Sequence, residues 1–130
     1  MWDAVNPPSL PAPRGFAHGM LSRKGGRLLL VAGQTAATEN RATGDFAAQF
    51  TMALDRVLAV VRAAGGGPDH VGRLTVYVTD LERYRASRRA LGAAWRERFG
   101  SHYPAMALVE VKALVDEGAL VEMEATAVVP

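Results

Sequence analysis

From Phe46 the apolar residues of this chain recur at helical spacing. Phe46, Phe50, Ala53, Leu54, Val57, Val60, Val61 and Ala64 stand at i, +4, +7, +8, +11, +14, +15 and +18, the single stripe of a long amphipathic helix. Thr43 or Asp45 can cap its start, and Gly65-Gly66-Gly67-Pro68 stops it. The period then drops to two. Leu74, Val76 and Val78 alternate with Arg73, Thr75, Tyr77 and Thr79, which predicts a half-buried strand over Val71–Thr79. Asp80 can cap a second helix with Tyr84, Leu91, Trp95 and Phe99 on one side and Gly100 at its end. Two further strands, Ala107–Leu114 and Ala119–Val129, flank a loop at Asp116-Glu117-Gly118.

Upstream, Pro7, Pro8, Pro11 and Pro13 keep the first fifteen residues extended. Ala17–Ser22 and Leu28–Gln34 flank Arg23-Lys24-Gly25-Gly26-Arg27, a turn of the kind that closes a β-hairpin, and Thr35–Gly44 is polar and irregular. The expected order is ββαβαββ, one α+β domain over residues 1–130 with both helices on the same face of a sheet. In the last strand Val121, Met123, Ala125, Ala127 and Val129 form a row suited to the helix-covered core. Leu120, Glu122, Glu124, Thr126 and Val128 form the other row. Its mixture of carboxylates and aliphatics suits a subunit interface with wet clefts.

Composition narrows the functional classes. Hydrophobic residues make up 49% and charged residues 22% of the chain, as in ordinary globular domains. No apolar run is long enough for a bilayer, and the N-terminal stretch lacks the apolar core of a signal peptide. The chain has no cysteine, which excludes thiol nucleophiles and thiolate metal sites and agrees with a cytoplasmic location. A net charge of +2 gives no case for nucleic acid. Arg83, Arg85, Arg88, Arg89, Arg96 and Arg98 do make the second helix basic, but no exposed aromatics interleave them, and such a run reads as a solvated face. His18, His70 and His102 have no metal-ligand spacing and read as turn or surface residues. Gly65-Gly66-Gly67 is a helix stop and not a phosphate loop, because neither a preceding strand nor a following Lys-Ser/Thr accompanies it.

A set of short pieces in fixed order resembles the Rid family, also called the YjgF or L-PSP endoribonuclease family. The pieces are Asn6-Pro7, Arg14-Gly15-Phe16-Ala17-His18-Gly19, Val31-Ala32-Gly33-Gln34, Gln49 with Ala53-Leu54 and Val57, Ala63-Ala64-Gly65 with Val71, Thr75-Val76-Tyr77-Val78-Thr79-Asp80, Pro104-Ala105, and Val121-Glu122-Met123-Glu124-Ala125. The resemblance covers nearly the whole chain. It implies a chorismate-mutase-like fold and a homotrimer whose sheets form a central barrel, with small-molecule clefts between neighbouring subunits. Active members hydrolyse 2-imino or 2-enamino acids to 2-keto acids and ammonia, with neither metal nor organic cofactor.

In those members an arginine follows Pro-Ala and clamps the substrate carboxylate through two parallel charge-assisted hydrogen bonds. Here the position is Met106, which offers no donor. Phe16 replaces a common Tyr, Ala32 a Ser, and Leu108 a small or thiol residue. Gly33 keeps the family's glycine, and Arg88 falls near its usual Asn. Glu122 matches the acidic residue that helps position the attacking water.

The resemblance therefore implies Glu122 as the candidate catalytic residue, and Phe16, Ala32, Gly33, Arg88, Met106 and Leu108 as candidate ligand-binding residues, with no metal site. Against this, Glu122 can be a rim carboxylate paired with an arginine. Met106 and Leu108 can be simple interface packing by flexible hydrophobes. Glu122 and Glu124, about 6–7 Å apart along a strand, have no defined partner for paired acid–base work. The expected function is a trimeric small-molecule binder with standard deaminase activity absent or weak, and with scope for hydrolysis of a non-standard imine or enamine. A non-catalytic regulatory module and the ribonuclease activity of the family name are the alternatives. Without the clamp, an apolar cleft floored by Phe16, Met106 and Leu108, with Glu122 as its nearest carboxylate, predicts a neutral ligand with one polar end.

Overall fold

The computed structural model describes all 130 residues. Its strands are β1 (Trp2–Val5), β2 (Gly19–Ser22), β3 (Arg27–Gln34), β4 (Val71–Val78), β5 (Ala105–Glu110) and β6 (Val121–Val129). Its helices are α1 (Phe46–Ala63), α2 (Leu81–Ala86) and α3 (Arg88–Phe99). A four-stranded sheet runs β3-β6-β4-β5, with β4 and β5 parallel and the other neighbours antiparallel. β1 and β2 form a separate antiparallel ribbon. No helix is long and apolar enough to cross a membrane.

The α1 stripe is buried as its spacing requires, with Ala53, Leu54, Val57 and Val61 fully covered. Asp45 is the cap that forms, its carboxylate accepting from the Ala48 N–H at 2.9 Å. Below α1 lie Val121, Met123, Ala125, Ala127 and Val129 of β6 and Leu74, Val76 and Val78 of β4. Leu91, Trp95 and Phe99 of α3 join the same cluster, so α1 and α3 share one face and the other face is left open.

Three expectations need correction. β2 pairs with β1 rather than closing a hairpin with β3. Trp2 is the reason: its indole N–H donates to the His70 carbonyl at 2.6 Å, and its ring lies so close over Gly72 that a β-carbon there would collide. That anchor holds Trp2–Val5, which precedes the prolines and keeps its donors, beside Gly19–Ser22. Second, the expected single helix after Asp80 is two helices, giving βββαβααββ. At Ser87 the backbone N–H donates to the Tyr84 carbonyl and the hydroxyl to the Arg83 carbonyl at 2.8 Å, a back-bonded turn that interrupts the ladder. Third, the penultimate strand lies earlier than expected, at Ala105–Glu110, because its pairing with β4 begins at Arg73↔Ala105.

One buried polar residue ties the loops to this frame. Gln49, 2% exposed, donates to the carbonyls of Gly44 and Gly118, both at 3.1 Å, and accepts from the Leu120 N–H at 2.8 Å. Gln49→Leu would strand three backbone groups away from water. Urea unfolding is expected to show a loss of about 2–4 kcal/mol; a change below about 0.5 kcal/mol would mean that the loops find other partners.

Candidate functional site

The alternation of β5 decides where its residues look. Met106 stands opposite Leu74 and Leu108 opposite Val76 across the parallel pair. Leu74 and Val76 are fully buried beneath the helices, so Met106 and Leu108 face the helix side at the sheet edge. There they line a cleft of about 200 Å3. Tyr84 of α2 and Arg88, Leu91, Gly92 and Trp95 of α3 form its opposite wall, and Tyr103 and Gly15 also line it. Tyr103 and Trp95 are parallel within 3° at 5.8 Å, and Trp95 stacks on Phe99 at 4.2 Å.

Arg88 is the only charged residue in that lining. Its guanidinium sits 5.7 Å from the centroid of the Tyr84 ring, within cation–π range. Of the arginines on α2 and α3, Arg83 pairs with Asp80, Arg85 with Glu82, and Arg98 with Asp55 and Glu97, whereas Arg88, Arg89 and Arg96 have no carboxylate partner.

Glu122 lies elsewhere. It stands opposite Tyr77 in the β4–β6 pair, between the buried Val121 and Met123, and therefore on the open face. Its carboxylate rests over Gly33, where an added β-carbon would come within 2.7 Å of Oε1. Ala32 is exposed nearby on β3. Phe16 lines a separate depression beside the β1–β2 ribbon with Trp2, Met20 and His102, packing edge-on against His18 at 5.2 Å. Of the seven sequence candidates, one chain brings together Arg88, Met106 and Leu108. Gly33 and Glu122 form a second group on the other face, with Ala32 close by, and Phe16 joins neither. The sequence reading missed the aromatic side of the cleft. In the sequence Tyr84 and Trp95 read only as the apolar side of a helix, and their spacing to Arg88 is the usable signal.

The histidines are all engaged by backbone: His18 with the Pro11 carbonyl, His70 with the Gly67 N–H, and His102 with the Val71 carbonyl. No three His, Asp or Glu side chains converge as a metal set.

A family profile described as Endoribonuclease L-PSP matches residues 11–129. The chain belongs to this family, the Rid/YjgF family. A RutC family protein of Pyrococcus horikoshii is 30% identical over 119 residues, covering 89% of this chain and 90% of its own. A Rid-family protein of unknown function from Yersinia pestis superposes with a TM-score of 0.82 at 31% identity, over 98% of both chains. A YjgF/YER057c/UK114 family member from Mycobacterium tuberculosis superposes with a TM-score of 0.65 at 36% identity, over 88% of this chain and 87% of that one. The Rid/YjgF fold, with its two sheets and three helices, thus extends over nearly every residue discussed above.

On the open face Tyr77 donates its hydroxyl to Glu124 Oε1 at 2.6 Å. That bond raises the phenol above its ordinary 10.0, helped by partial desolvation and by the charges of Glu124 and Glu122, with Arg73 opposing. A raised folded value means that the neutral phenol favours folding, fully below the unfolded value and less as pH climbs through the folded one. A phenolate absorbance titration should therefore show the component removed by Tyr77→Phe ionising at higher pH in the folded protein than in denaturant. Coincident titration in both states would remove Glu124 as its partner.

Proposed function

We propose that this Rid/YjgF protein is a cytoplasmic homotrimer that binds a small molecule in clefts between subunits, with standard 2-imino-acid hydrolysis absent or very weak. The observation that carries this reading is the division of the candidate residues between two faces of one sheet. Arg88, Met106 and Leu108 face a cleft under the helices, whereas Glu122 faces away from it. Any joint action of Glu122 and the cleft needs a second copy, which is how the family resemblance arranges its sites.

The open face supports assembly on its own terms. Leu28 is 67% exposed and Leu30 71% exposed beside Thr126 and Val128, and Val109 adds apolar surface beyond Tyr77. A chain of 13.9 kDa would present about 6,700 Å2 if it were an ordinary monomer; this one presents 7568 Å2. A stable interface covers on the order of 800 Å2 on each partner, and the open face is the broad region that combines apolar and hydrogen-bonding groups.

Met106 is the reason for weak standard activity. A thioether gives a carboxylate no donor, and loss of a bidentate charge-assisted pair costs on the order of a thousandfold in rate. Hydrolysis of a non-standard imine or enamine through water held by Glu122 of a neighbouring copy belongs to the same proposal, as does the absence of a cofactor. A non-catalytic binding module is the second reading, favoured by the changes at Phe16, Ala32 and Leu108. The apolar cleft argues against ribonuclease chemistry, which needs a basic groove for the phosphate backbone.

Light scattering on the eluting protein should give three times the chain mass, and Leu30→Glu should lower it. A wild-type mass of one chain would defeat both the assembly and the intersubunit cleft. In a coupled assay, imines generated from ordinary amino acids should release ammonia no faster than the blank. Met106→Arg should stay trimeric and gain no turnover; turnover abolished in turn by Glu122→Ala would mean that only the clamp had been lost.

A further inference from the structure

We propose that the outward face of α3, centred on Arg89 and Arg96, docks an acidic helix of a partner protein. Carboxylates two helical turns apart on that helix meet the two guanidinium groups. The inference concerns the outside of the helical layer and does not depend on the cleft beneath it.

The charge of the chain is divided between its layers. α1, α2 and α3 together carry eight arginines and three carboxylates, a net of +5. The remaining residues carry seven cations and ten carboxylates, a net of −3. The modest total of +2 thus conceals a basic helical layer backed by an acidic remainder, and the positive potential is concentrated on the helices. The open face lies across the sheet from them, so copies that meet there leave the helical layer outermost.

Within α2 and α3 the arginines fall into two kinds. Arg83, Arg85 and Arg98 are neutralised by carboxylates of the same chain, and Arg98 uses Asp55 to tie α3 to α1. Arg89 and Arg96 are exposed and have no carboxylate partner. Seven residues apart on one helix, they project to the same side, about 10 Å from each other along the axis. Gly92 gives the second of them its place: a β-carbon there would come within 3.2 Å of Arg96 Nη1, so the guanidinium lies back over the preceding turn.

The kind of partner follows from what this face holds and what it lacks. The exposed residues of α3 are arginine, alanine and glutamate alone. A membrane surface is gripped by large apolar side chains and single-stranded nucleic acid by aromatic stacking; the face offers neither. A free arginine fork takes a carboxylate through two parallel charge-assisted hydrogen bonds. Two forks at a spacing of two helical turns match carboxylates seven residues apart on a second helix laid alongside, and Ala90 and Ala93 put no bulk between the forks to hold that helix away.

The test titrates the whole protein into a fluorescently labelled, alanine-rich helical peptide bearing glutamates seven residues apart, with anisotropy as the readout. Saturable binding is expected at low salt, weakening about tenfold or more by roughly 0.5 M salt as the charges are screened. Arg89→Glu combined with Arg96→Glu should lower the affinity about tenfold or more, the effect of turning two attractive contacts into repulsive ones. The corresponding pair of lysine substitutions should retain part of the binding, because the charge stays and the fork is lost. Lys112→Glu, a charge reversal off the helices, should change nothing. Circular dichroism and elution volume verify that fold and assembly are intact in each variant. Single-stranded oligouridylate and phosphatidylserine vesicles serve as competing partners. Binding of either as tight as that of the peptide, and lost in the double glutamate variant, would overturn the inference and assign the face to that partner. No saturable binding of the glutamate peptide, or binding that survives the double reversal, would overturn it equally.

Discussion

The pleat of β6 is the constraint on which the rest of the molecule depends. It is a central strand, hydrogen-bonded to β3 on one side and β4 on the other, so both of its neighbours read their facing from it. Its odd-numbered residues from Val121 to Val129 are buried beneath α1, and its even-numbered ones from Glu122 to Thr126 look the other way. A slip of one residue would drive Glu122 and Glu124 into the apolar layer and bring Met123 and Ala125 out of it. The desolvation cost of two unpaired carboxylates forbids that alternative, and the facing of β3 and β4 is fixed with it.

The cleft arises where that ordered layer ends. β5 is the edge strand beyond β4, and its register points Met106 and Leu108 toward the helices with no further strand to bury them. Both remain only partly covered. The turn at Ser87 divides the helical segment above into α2 and α3, so that Tyr84 lies on one side of the break and Arg88 immediately after it. An uninterrupted helix would carry these residues in regular succession over the sheet. The break instead places a cation over an aromatic ring in the cleft wall, with the Trp95 ring further along the same helix.

Much of this was legible in the sequence where the information is local. The α1 stripe, the two rows of β6 and the cap at Asp80 follow from spacing within a single element, and the structure contains them; of the two caps open for α1, Thr43 and Asp45, it forms the second. The pairing of β1 with β2 did not follow, because its cause is Trp2 packing against Gly72 and His70, some seventy residues away. The break at Ser87 depends on one hydroxyl turning back to Arg83, which an apolar count does not register. The site was half legible for the same reason. Periodicity says which residues share a face within one strand, but relating Met106 on β5 to Glu122 on β6 needs the register of two intervening pairings. Motif order alone placed them in one list, and the sheet places them on opposite faces.

That separation changes what Met106 means. In the arrangement implied by the family resemblance, the cation belongs to the strand and an amide lies near the position of Arg88 on the helix. This chain has a thioether on the strand and a guanidinium on the helix, so the cleft keeps a positive group while its place moves to the opposite wall. A positive group on the helix wall raises the local potential of the cleft, but it stands across from the strand position now occupied by Met106. On that strand the unbranched thioether packs with the apolar lining and offers no donor. The two walls of the cleft thus differ in kind, with a cation over an aromatic ring on the helices and bare hydrophobes on the strand.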